Sequence, residues 1–373
     1  MKIILTLIFA FSLSAQTSRF DSLVTNGIEQ IYNLKFNSAE RTFQIVQREY
    51  SKNPAGKFFN AMIDWWKIML DFENESYDDR FYDKLENVID LCDDILDKNP
   101  NNIDAIFFKG GALGFRGRLK AVREDWLDAA LDGKDALPLV YKAYQIDSTN
   151  IDVQFGLGIY NYYAEVIPAK YEFIKPFMYF FPQGNKNRGI KQLINTAENG
   201  KYAKYEAQYF LMTLYFSFEN DTRKALAYAE TLFNKFPENP AFEKYIGRIY
   251  VKENNYNKAV TVFERIVEKC KNKKLGYNER LFRESIYYIA YNNYLKRNDE
   301  ESLKLFLKCE ELSEKLDEEE SGFLINSALY AAMIYDRMGI RKKAIEKYEQ
   351  VLDYDDFRNS HQKAEKYIKK PFH

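Results

Sequence analysis

The sequence predicts an all-α fold, a solenoid built from about seven to eight helix hairpins. Three observations point to it: a composition suited to helices, a pattern that returns after 34 residues, and small and aromatic residues at fixed positions of that pattern. Of the 373 residues, 46% are apolar and 16% aromatic, while Gly (16) and Pro (9) are sparse. Such a chain can bury a sizeable core and favours helices over a sheet with many tight turns.

The clearest repeat unit covers residues 241–269. It carries small and aromatic residues at regular positions: Gly247, Tyr250, Tyr256, Ala259 and Phe263. Small residues at facing positions let two helices approach within about 8–10 Å. The aromatic residues are expected to fill the space between one hairpin and the next. Because one hairpin cannot bury its apolar face alone, such units must stack.

Four further units follow the same pattern. The preceding unit ends on Pro237 and places Ala225 34 residues before Ala259. The other three carry their small and aromatic positions at Gly27, Phe36, Ala39 and Phe43; at Ala290, Ser302 and Phe306; and at Ala332, Tyr335, Gly339, Ala344 and Tyr348. The repeats therefore cover most of residues 20–356.

The middle of the chain repeats at a longer interval. Ile103 matches Ile151 and Gly110 matches Gly158 at an offset of 48 residues. We interpret the additional length as longer segments between the two helices of a hairpin, at 72–83, 115–131 and 167–185. The solenoid would then occupy 16–373, with a final helix at 360–370 capping its exposed end.

The five units resemble the tetratricopeptide-repeat (TPR) superfamily. The middle region resembles a branch related to the tetratricopeptide repeat protein 39 family, in segments 111–119, 156–168 and 185–202. The superfamily resemblance implies a right-handed superhelix whose first helices line a concave groove for a peptide or partner protein. The narrower resemblance supplies no catalytic residue.

The same resemblance assigns the groove to a few positions of each first helix. These positions hold Phe210 and Leu214; Lys244 and Arg248; Tyr287, Tyr291 and Tyr294; and Met333 and Arg337. Aromatic and Arg residues dominate interface hot spots, so we expect this wall to bind a protein or peptide. The alternative is that the tyrosines pack against neighbouring helices inside the solenoid. Arg248 stands where the chaperone-tail clamp of some TPR domains has Asn, which argues against binding of C-terminal carboxylates by that route.

The N-terminus resembles an export signal. Lys2 precedes an apolar run at 3–13, which is followed by the small residues Ser14 and Ala15. A membrane span needs roughly 20 apolar residues, whereas a shorter run of this kind is typical of a secretory signal peptide. We therefore expect removal of 1–15, no transmembrane segment in the remainder, and export to the periplasm or secretion. An uncleaved N-terminal anchor is the alternative.

Charge and composition argue against several other functions. Lys and Arg (54) balance Asp and Glu (55) without a basic stripe, so we expect no binding to nucleic acid. The two histidines, His361 and His373, lie at the C-terminus, outside the repeats. Cys92, Cys270 and Cys309 are widely spaced, which indicates core thiols rather than disulfides or a metal site. We therefore expect a non-enzymatic protein without cofactor or metal.

The sequence allows two alternatives. A helical-toroid glycosidase could use paired carboxylates as acid and base, with Asp152 or Glu165 among many acidic candidates, although the 34-residue period argues against it. The segment 167–182 is strongly apolar and interrupted by prolines, and could contact a partner or a membrane surface. A folded-back insert that covers the solenoid edge is the other interpretation of that segment.

Overall fold

The computed structural model describes residues 18–172, 175–176 and 181–373. These residues form helices and connecting turns, without a strand among them. The predicted all-α fold of helix hairpins is therefore confirmed. The predicted signal peptide at 1–15 lies outside the described residues. The chain divides into two compact units, Met1–Asn239 and Pro240–His373, where the sequence predicts one continuous array.

The described helices follow one another as hairpins. Unit 1 contains α1 (18–32), α2 (Phe36–Glu49), α3 (Ala55–Leu70), a 3₁₀ turn (Glu75–Tyr77), α4 (Asp78–Leu96), α5 (Ile103–Val122), α6 (Trp126–Ile146), α7 (Val153–Lys170), α8 (Lys186–Asn199), α9 (Lys204–Ser217) and α10 (Thr222–Lys235). Unit 2 contains α11 (Pro240–Lys252), α12 (Tyr256–Lys271), α13 (Glu279–Leu295), α14 (Asp299–Leu316), α15 (Gly322–Arg337), α16 (Arg341–Asp353) and α17 (Ser360–Lys369).

Many of these helices begin at a polar side chain that caps them. The side-chain oxygen of Asn102 accepts a hydrogen bond from the backbone N–H of Ala105 at 2.9 Å, and thereby satisfies one of the free donors of the first turn of α5. The same arrangement starts further helices, at Asp125, Asn185, Asp221, Asn255, Asn278 and Ser321. The helix boundaries are therefore fixed locally by the sequence.

The short turns inside hairpins repeatedly use a residue in the left-handed conformation. These residues are Leu34 (φ 57°), Glu124 (62°), Asn220 (56°), Asn254 (57°), Arg297 (61°) and Gly339 (73°). Glycine adopts positive φ without steric cost, and most of these positions hold another residue. The hairpins therefore share a turn geometry that cannot be recognised from the residue types in their turns.

Two of the predicted inter-helix segments are shorter in the structure. Helix α4 begins at Asp78, inside 72–83, and only 123–125 separate α5 from α6, inside 115–131. The additional length forms longer helices, since α5 and α6 contain 20 and 21 residues. Glycines within α5 weaken its helical pattern, yet Gly117 is required there because a Cβ would lie 3.0 Å from the carbonyl oxygen of Ala129. The connection 171–185 is long, and part of it lies outside the described residues.

Unit 1 closes on itself through α1. The hydroxyl of Tyr32 donates to Glu206 Oε2 at 2.8 Å, across 174 residues of sequence. Tyr205 donates to Glu29 Oε1 at 2.9 Å, and Asn239 Nδ2 donates to the carbonyl oxygen of Tyr32 at 3.0 Å. Helix α1 therefore packs against α9 as well as against its hairpin partner.

Unit 2 ends on α17, which packs against α15 and α16 through the buried Ala364. The buried carboxylate of Asp336 holds this end together. It accepts hydrogen bonds from Arg341 at 2.8 Å, from the hydroxyl of Tyr348 at 3.1 Å and from the backbone N–H of Phe372 at 2.9 Å. Helix α17 covers the apolar end of the last hairpin, as expected of a capping helix in a repeat array.

Candidate protein-binding surface

The first helices of the three hairpins of unit 2 lie side by side. The guanidinium of Arg248 on α11 contacts the carboxylate of Glu284 on α13 through two hydrogen bonds, at 2.5 and 2.7 Å. Glu284 is buried, which alone would raise its pKa, but the paired Arg248 holds the pKa of Glu284 below its ordinary value. Both side chains are therefore charged, and their ion pair holds α11 against α13.

The predicted groove residues of unit 2 all lie on these three helices. Most are half-buried and one is buried: Lys244 and Arg248 on α11, Tyr287, Tyr291 and Tyr294 on α13, and Met333 (buried) and Arg337 on α15. The structure therefore brings them together on one stack of helices, but with a large part of each side chain engaged in packing.

Four half-buried tyrosines form a contiguous group, here called the tyrosine cluster: Tyr256, Tyr291, Tyr294 and Tyr330. The ring of Tyr291 lies 5.0 Å from Tyr256, 6.1 Å from Tyr294 and 5.3 Å from Tyr330, between centroids. Tyr294 and Tyr330 are 5.0 Å apart. The cluster therefore joins α12, α13 and α15 in one aromatic surface.

The tyrosine cluster rests on a packed core. Three of its rings contact the buried residues Ala290, Phe306 and Ile334, and Phe306 stacks on Tyr330 with centroids 5.2 Å apart. Burial raises the pKa of Tyr294 to about 12, so its hydroxyl stays protonated and can donate at neutral pH. The cluster is therefore an aromatic group packed on the core of unit 2.

Arg337 closes one side of this cluster. Its guanidinium lies 4.2 Å from the ring centroid of Tyr294, within the range of a cation–π contact. It also forms an ion pair with Asp299. The charge of Arg337 is therefore neutralised by Asp299, while its flat face is stacked on the aromatic ring.

Tyr287 belongs mainly to the interior. Its ring lies 5.7 Å from Phe306 and 5.2 Å from Phe323, between centroids. Burial raises the pKa of the Tyr287 hydroxyl well above its ordinary value. For Tyr287 the structure therefore favours the packing alternative over a direct role in a groove.

In unit 1, Phe210 and Leu214 lie in the core rather than on an open wall, with 7% and 0% of their surface exposed. The guanidinium of Arg118 lies 4.5 Å from the ring centroid of Phe210 and donates to Glu206 at 2.8 Å. The ring of Phe210 also lies 5.4 Å from that of Phe155 on α7, between centroids. This corrects the prediction for these two residues.

One segment of unit 2 matches a known family. Residues 245–272, which include most of the α11–α12 hairpin, match the tetratricopeptide repeat family model. The chain carries a tetratricopeptide repeat. The predicted resemblance to the TPR superfamily is thereby confirmed. The match does not extend to the middle region, where the narrower resemblance stays a prediction.

Several solved structures are similar to this chain at low identity. Yeast Tom70 has 15% identity and a TM-score of 0.40, over 96% of this chain and 83% of its own. The C-terminal part of a TPR repeat-containing protein from Cytophaga hutchinsonii has 14% identity and a TM-score of 0.39, over 82% and 98%. The human IFIT1 dimer with PPP-AAAA has 14% identity and a TM-score of 0.34, over 86% and 69%. No curated protein matches the chain by sequence.

Two members of the tyrosine cluster lie outside the TPR groove positions. The repeat pattern assigns Tyr256 to packing between hairpins, and Tyr330 is at no groove position, yet both rings are half-buried beside Tyr291. The aromatic character of Tyr256 and Tyr330 is the sequence feature that points to the cluster. It does not distinguish a surface residue from a packing residue, because the TPR pattern also uses aromatic residues for packing.

The carboxylates considered for a hydrolase have structural partners. Asp152 is buried and accepts hydrogen bonds from the backbone N–H groups of Lys201, Tyr202 and Ala203, at 2.9–3.2 Å. Glu165 accepts one from the backbone N–H of Lys186 at 2.8 Å. Both carboxylates therefore bind the connections that lead into or out of α8.

The three cysteines are free thiols. Cys92 and Cys309 are buried and Cys270 is half-buried. Burial raises the pKa of Cys92 and Cys270 to about 12 and that of Cys309 to about 11, so each thiol is protonated at neutral pH. Because the thiolate is the reactive form, these are poor nucleophiles and metal ligands.

The apolar segment 167–182 begins as helix, because α7 continues through Pro168 to Lys170. Residues 173–174 and 177–180 lie outside the described part of the chain. At the far end, the hydroxyl of Tyr160 donates to the carbonyl oxygen of Pro182. Within the described residues, no helix is both long and apolar enough to span a bilayer.

Proposed function

We propose that this chain is a non-enzymatic scaffold of the cell envelope that binds a protein or peptide through the first helices of unit 2. The observation that carries the proposal is the tyrosine cluster, a contiguous group of half-buried rings that joins three helices of TPR-type hairpins. Tyrosines are favoured in interfaces because each offers a large, amphipathic contact area at low entropic cost.

The packing of the cluster on the core supports this role. The rings of Tyr291, Tyr294 and Tyr330 are already packed on the core formed by Ala290 and Phe306. A partner therefore would not have to order them, and binding would lose less conformational entropy than it would on a mobile surface.

Charged side chains on the first helices of unit 2 contribute to recognition, although most of their charge is paired. Lys244 and Arg248 lie on α11, and Arg337 lies on α15. The two arginines are paired with Glu284 and Asp299, respectively. Such ion pairs contribute to the orientation and specificity of a bound partner more than to its affinity.

Export to the envelope is the second part of the proposal. Its support is the sequence at the N-terminus, where Lys2, the apolar run 3–13 and Ala15 have the order of a signal peptide. N-terminal sequencing of the protein purified from its native cells tests it. We expect a mature chain that begins at Gln16, whereas an intact Met1 on the native protein would contradict cleavage.

The binding proposal is tested by crosslinking in the native envelope fraction and recovery of the tagged chain. The test variant is Lys244→Ala/Tyr294→Ala, and the matched control is Lys304→Ala/Tyr354→Ala. The control removes an exposed lysine from α14 and a half-buried tyrosine directly after α16 of the same unit. Circular dichroism establishes that both variants are folded.

We expect the wild type and the control to recover the same partner, and the folded test variant to lose it. Equal recovery by all three proteins would place the binding surface elsewhere. If no protein partner is recovered with the wild type, the scaffold proposal itself fails.

A further inference from the structure

Helix α17 gathers lysines on one side, although lysines are interspersed along the sequence. Its buried Ala364 and half-buried Tyr367 and Ile368 pack on α15 and α16. Residues three and four positions apart share one side of a helix. The side away from α15 and α16 carries four exposed lysines at this spacing: Lys363, Lys366, Lys369 and Lys370. The helix therefore has a basic face, and Glu365 is its only carboxylate.

The C-terminal end of α17 is tied to the turn between α15 and α16. The guanidinium of Arg341 donates to the carbonyl oxygen of Ile368 and, at 2.8 Å, to the carboxylate of Asp336. The backbone N–H of Phe372 donates to the same carboxylate at 2.9 Å. The residues that directly follow Arg341 and Ile368 are exposed lysines: Lys342 and Lys343, and Lys369 and Lys370. These two pairs therefore lie at the same end of unit 2.

Six exposed lysines together form what is here called the basic end: Lys342, Lys343, Lys363, Lys366, Lys369 and Lys370. Lys342 lies 4.0 Å from Glu346. Among the described residues, no carboxylate oxygen lies within 4.0 Å of the ammonium nitrogen of the other five. Lysine side chains are charged at neutral pH. The basic end therefore carries a surplus of positive charge that the net charge of the chain, −1, does not reveal.

Two apolar side chains are exposed beside the basic end. Met338 and Ile340 flank Gly339 in the turn between α15 and α16, with 38% and 37% of their surface exposed, and Lys342 and Lys343 follow this turn. At a bilayer, apolar groups enter the boundary between headgroups and acyl chains, while lysines attract anionic lipids. An acidic polypeptide would engage the lysines without need of the apolar pair. The combination therefore favours a lipid surface.

We propose that the basic end of unit 2 binds an anionic lipid surface, with Met338 and Ile340 entering the boundary of its acyl chains. Lysine suits such a surface, because its compact charge on a flexible stem needs no fixed partner geometry. Each lysine close to an anionic bilayer strengthens binding by about fivefold. The inference goes beyond the proposed function, since it concerns a second surface and uses no residue of the tyrosine cluster.

The test is flotation of the full chain with lipid vesicles. Anionic vesicles contain equal parts of phosphatidylcholine and phosphatidylglycerol, and neutral vesicles contain phosphatidylcholine alone. Because the apolar run 3–13 can insert into either kind, the measured quantity is the difference between the two. We expect tighter binding to anionic vesicles, and the difference should shrink as salt rises from about 0.1 to about 1 M, since the screening length falls from about 10 to about 3 Å. Equal binding to both kinds of vesicle, or to neither, would overturn the inference.

Two double variants show whether the basic end causes this difference. Lys369→Gln/Lys370→Gln removes two unpaired charges and should weaken binding to anionic vesicles by about 10–30-fold. The matched control, Lys304→Gln/Lys308→Gln, removes the same charge from α14, where each lysine has a glutamate partner. It should leave binding nearly unchanged. Circular dichroism establishes that both variants are folded, and equal weakening by the two would contradict a role of the basic end.

A third variant separates a lipid surface from an acidic polypeptide. Met338→Gln/Ile340→Ser keeps all six lysines and removes the apolar pair, and serine is favoured at position 340, the N-cap of α16. It should weaken binding to anionic vesicles by about 3–10-fold and leave binding to polyglutamate unchanged. If it binds anionic vesicles as tightly as the wild type does, the apolar pair does not reach a bilayer and the lipid surface is wrong. Tighter binding of the wild type to polyglutamate than to anionic vesicles would likewise replace the lipid surface with an acidic polypeptide.

The outcome is separable from that of the proposed function. These variants leave Lys244 and Tyr294 in place, so a protein partner held by the first helices of unit 2 should still be recovered by crosslinking when vesicle binding is lost. Failure of the lipid proposal therefore leaves the proposed protein-binding surface standing.

Discussion

Gly247 on α11 lies directly against the ring of Phe263 on α12, and a Cβ at residue 247 would be 2.7 Å from Cζ of Phe263. Gly27 stands in the same relation to Phe43 in unit 1, with even less space. In both pairs the aromatic residue follows the glycine by 16 positions. The small and aromatic positions of the repeat therefore meet within one hairpin and set how closely its two helices approach.

This contact predicts the effect of a single methyl group. Gly247→Ala should destabilise unit 2 by about 1–3 kcal/mol, because the ring of Phe263 must move within a packed core, although alanine is the better helix former. Gly114→Ala is the control, since a Cβ at this exposed helical position meets nothing within 4 Å. It should stabilise by about 0.5–1 kcal/mol. Chemical denaturation measures both, and equal effects would contradict the contact.

The left-handed turns predict a second pair of opposite effects. Gly339 has a φ of 73° and open space around its Cα, so Gly339→Ala should destabilise by about 1–2 kcal/mol through backbone strain alone. Arg297 occupies the equivalent turn of the preceding hairpin with a φ of 61°. Arg297→Gly should be neutral or stabilising in thermal unfolding, and a large loss of stability there would argue against the shared turn geometry.

The Arg248–Glu284 pair predicts a dependence of stability on pH. The folded-state pKa of Glu284 is lowered, so its contribution to stability is present above the ordinary glutamate pKa, about 4.3, and is lost as pH falls through the folded pKa. Glu284→Gln should lower stability at pH 7 by about 1–3 kcal/mol. It should also flatten the fall in melting temperature below about pH 4. An unchanged acid profile in this variant would exclude Glu284 as a source of the dependence.

The closure of unit 1 predicts coupling between residues far apart in sequence. Tyr32 and Glu206 are joined by a hydrogen bond of 2.8 Å. In a double-mutant cycle, Tyr32→Phe and Glu206→Gln should show a coupling energy of about 0.5–3 kcal/mol. Denaturation of the two single variants and the double variant measures it. Strictly additive effects would mean that α1 is not held by this bond.

The repeat pattern predicts local structure well, because the determinants are local. Gly247 and Phe263 stand at positions that fix the geometry of one hairpin, and a side chain such as Asn102 caps the helix that follows it. The lengths of α5 and α6 were harder to predict, since glycines such as Gly117 interrupt the apolar pattern and yet serve close packing.

The candidate surface could be predicted only in part from the sequence. Position counting selects Tyr291 and Tyr294 together with Phe210 and Leu214, but the last two are buried, and Phe210 packs against Phe155 of α7. The return of α1 to α9 is likewise a long-range contact. No periodicity in the sequence signals a contact across 174 residues. Tyr330 escaped prediction for a related reason, because its exposure depends on how α15 lies beside α13.

Site-specific photocrosslinking in the native envelope tests the central claim most directly. A photoreactive phenylalanine analogue is placed at Tyr294, in the tyrosine cluster, or at Tyr354, directly after α16, and crosslinked peptides are identified by mass spectrometry. We expect a defined partner segment to crosslink at Tyr294 and not at Tyr354. No crosslink at Tyr294, or the same adducts at both positions, would contradict partner binding through the first helices of unit 2.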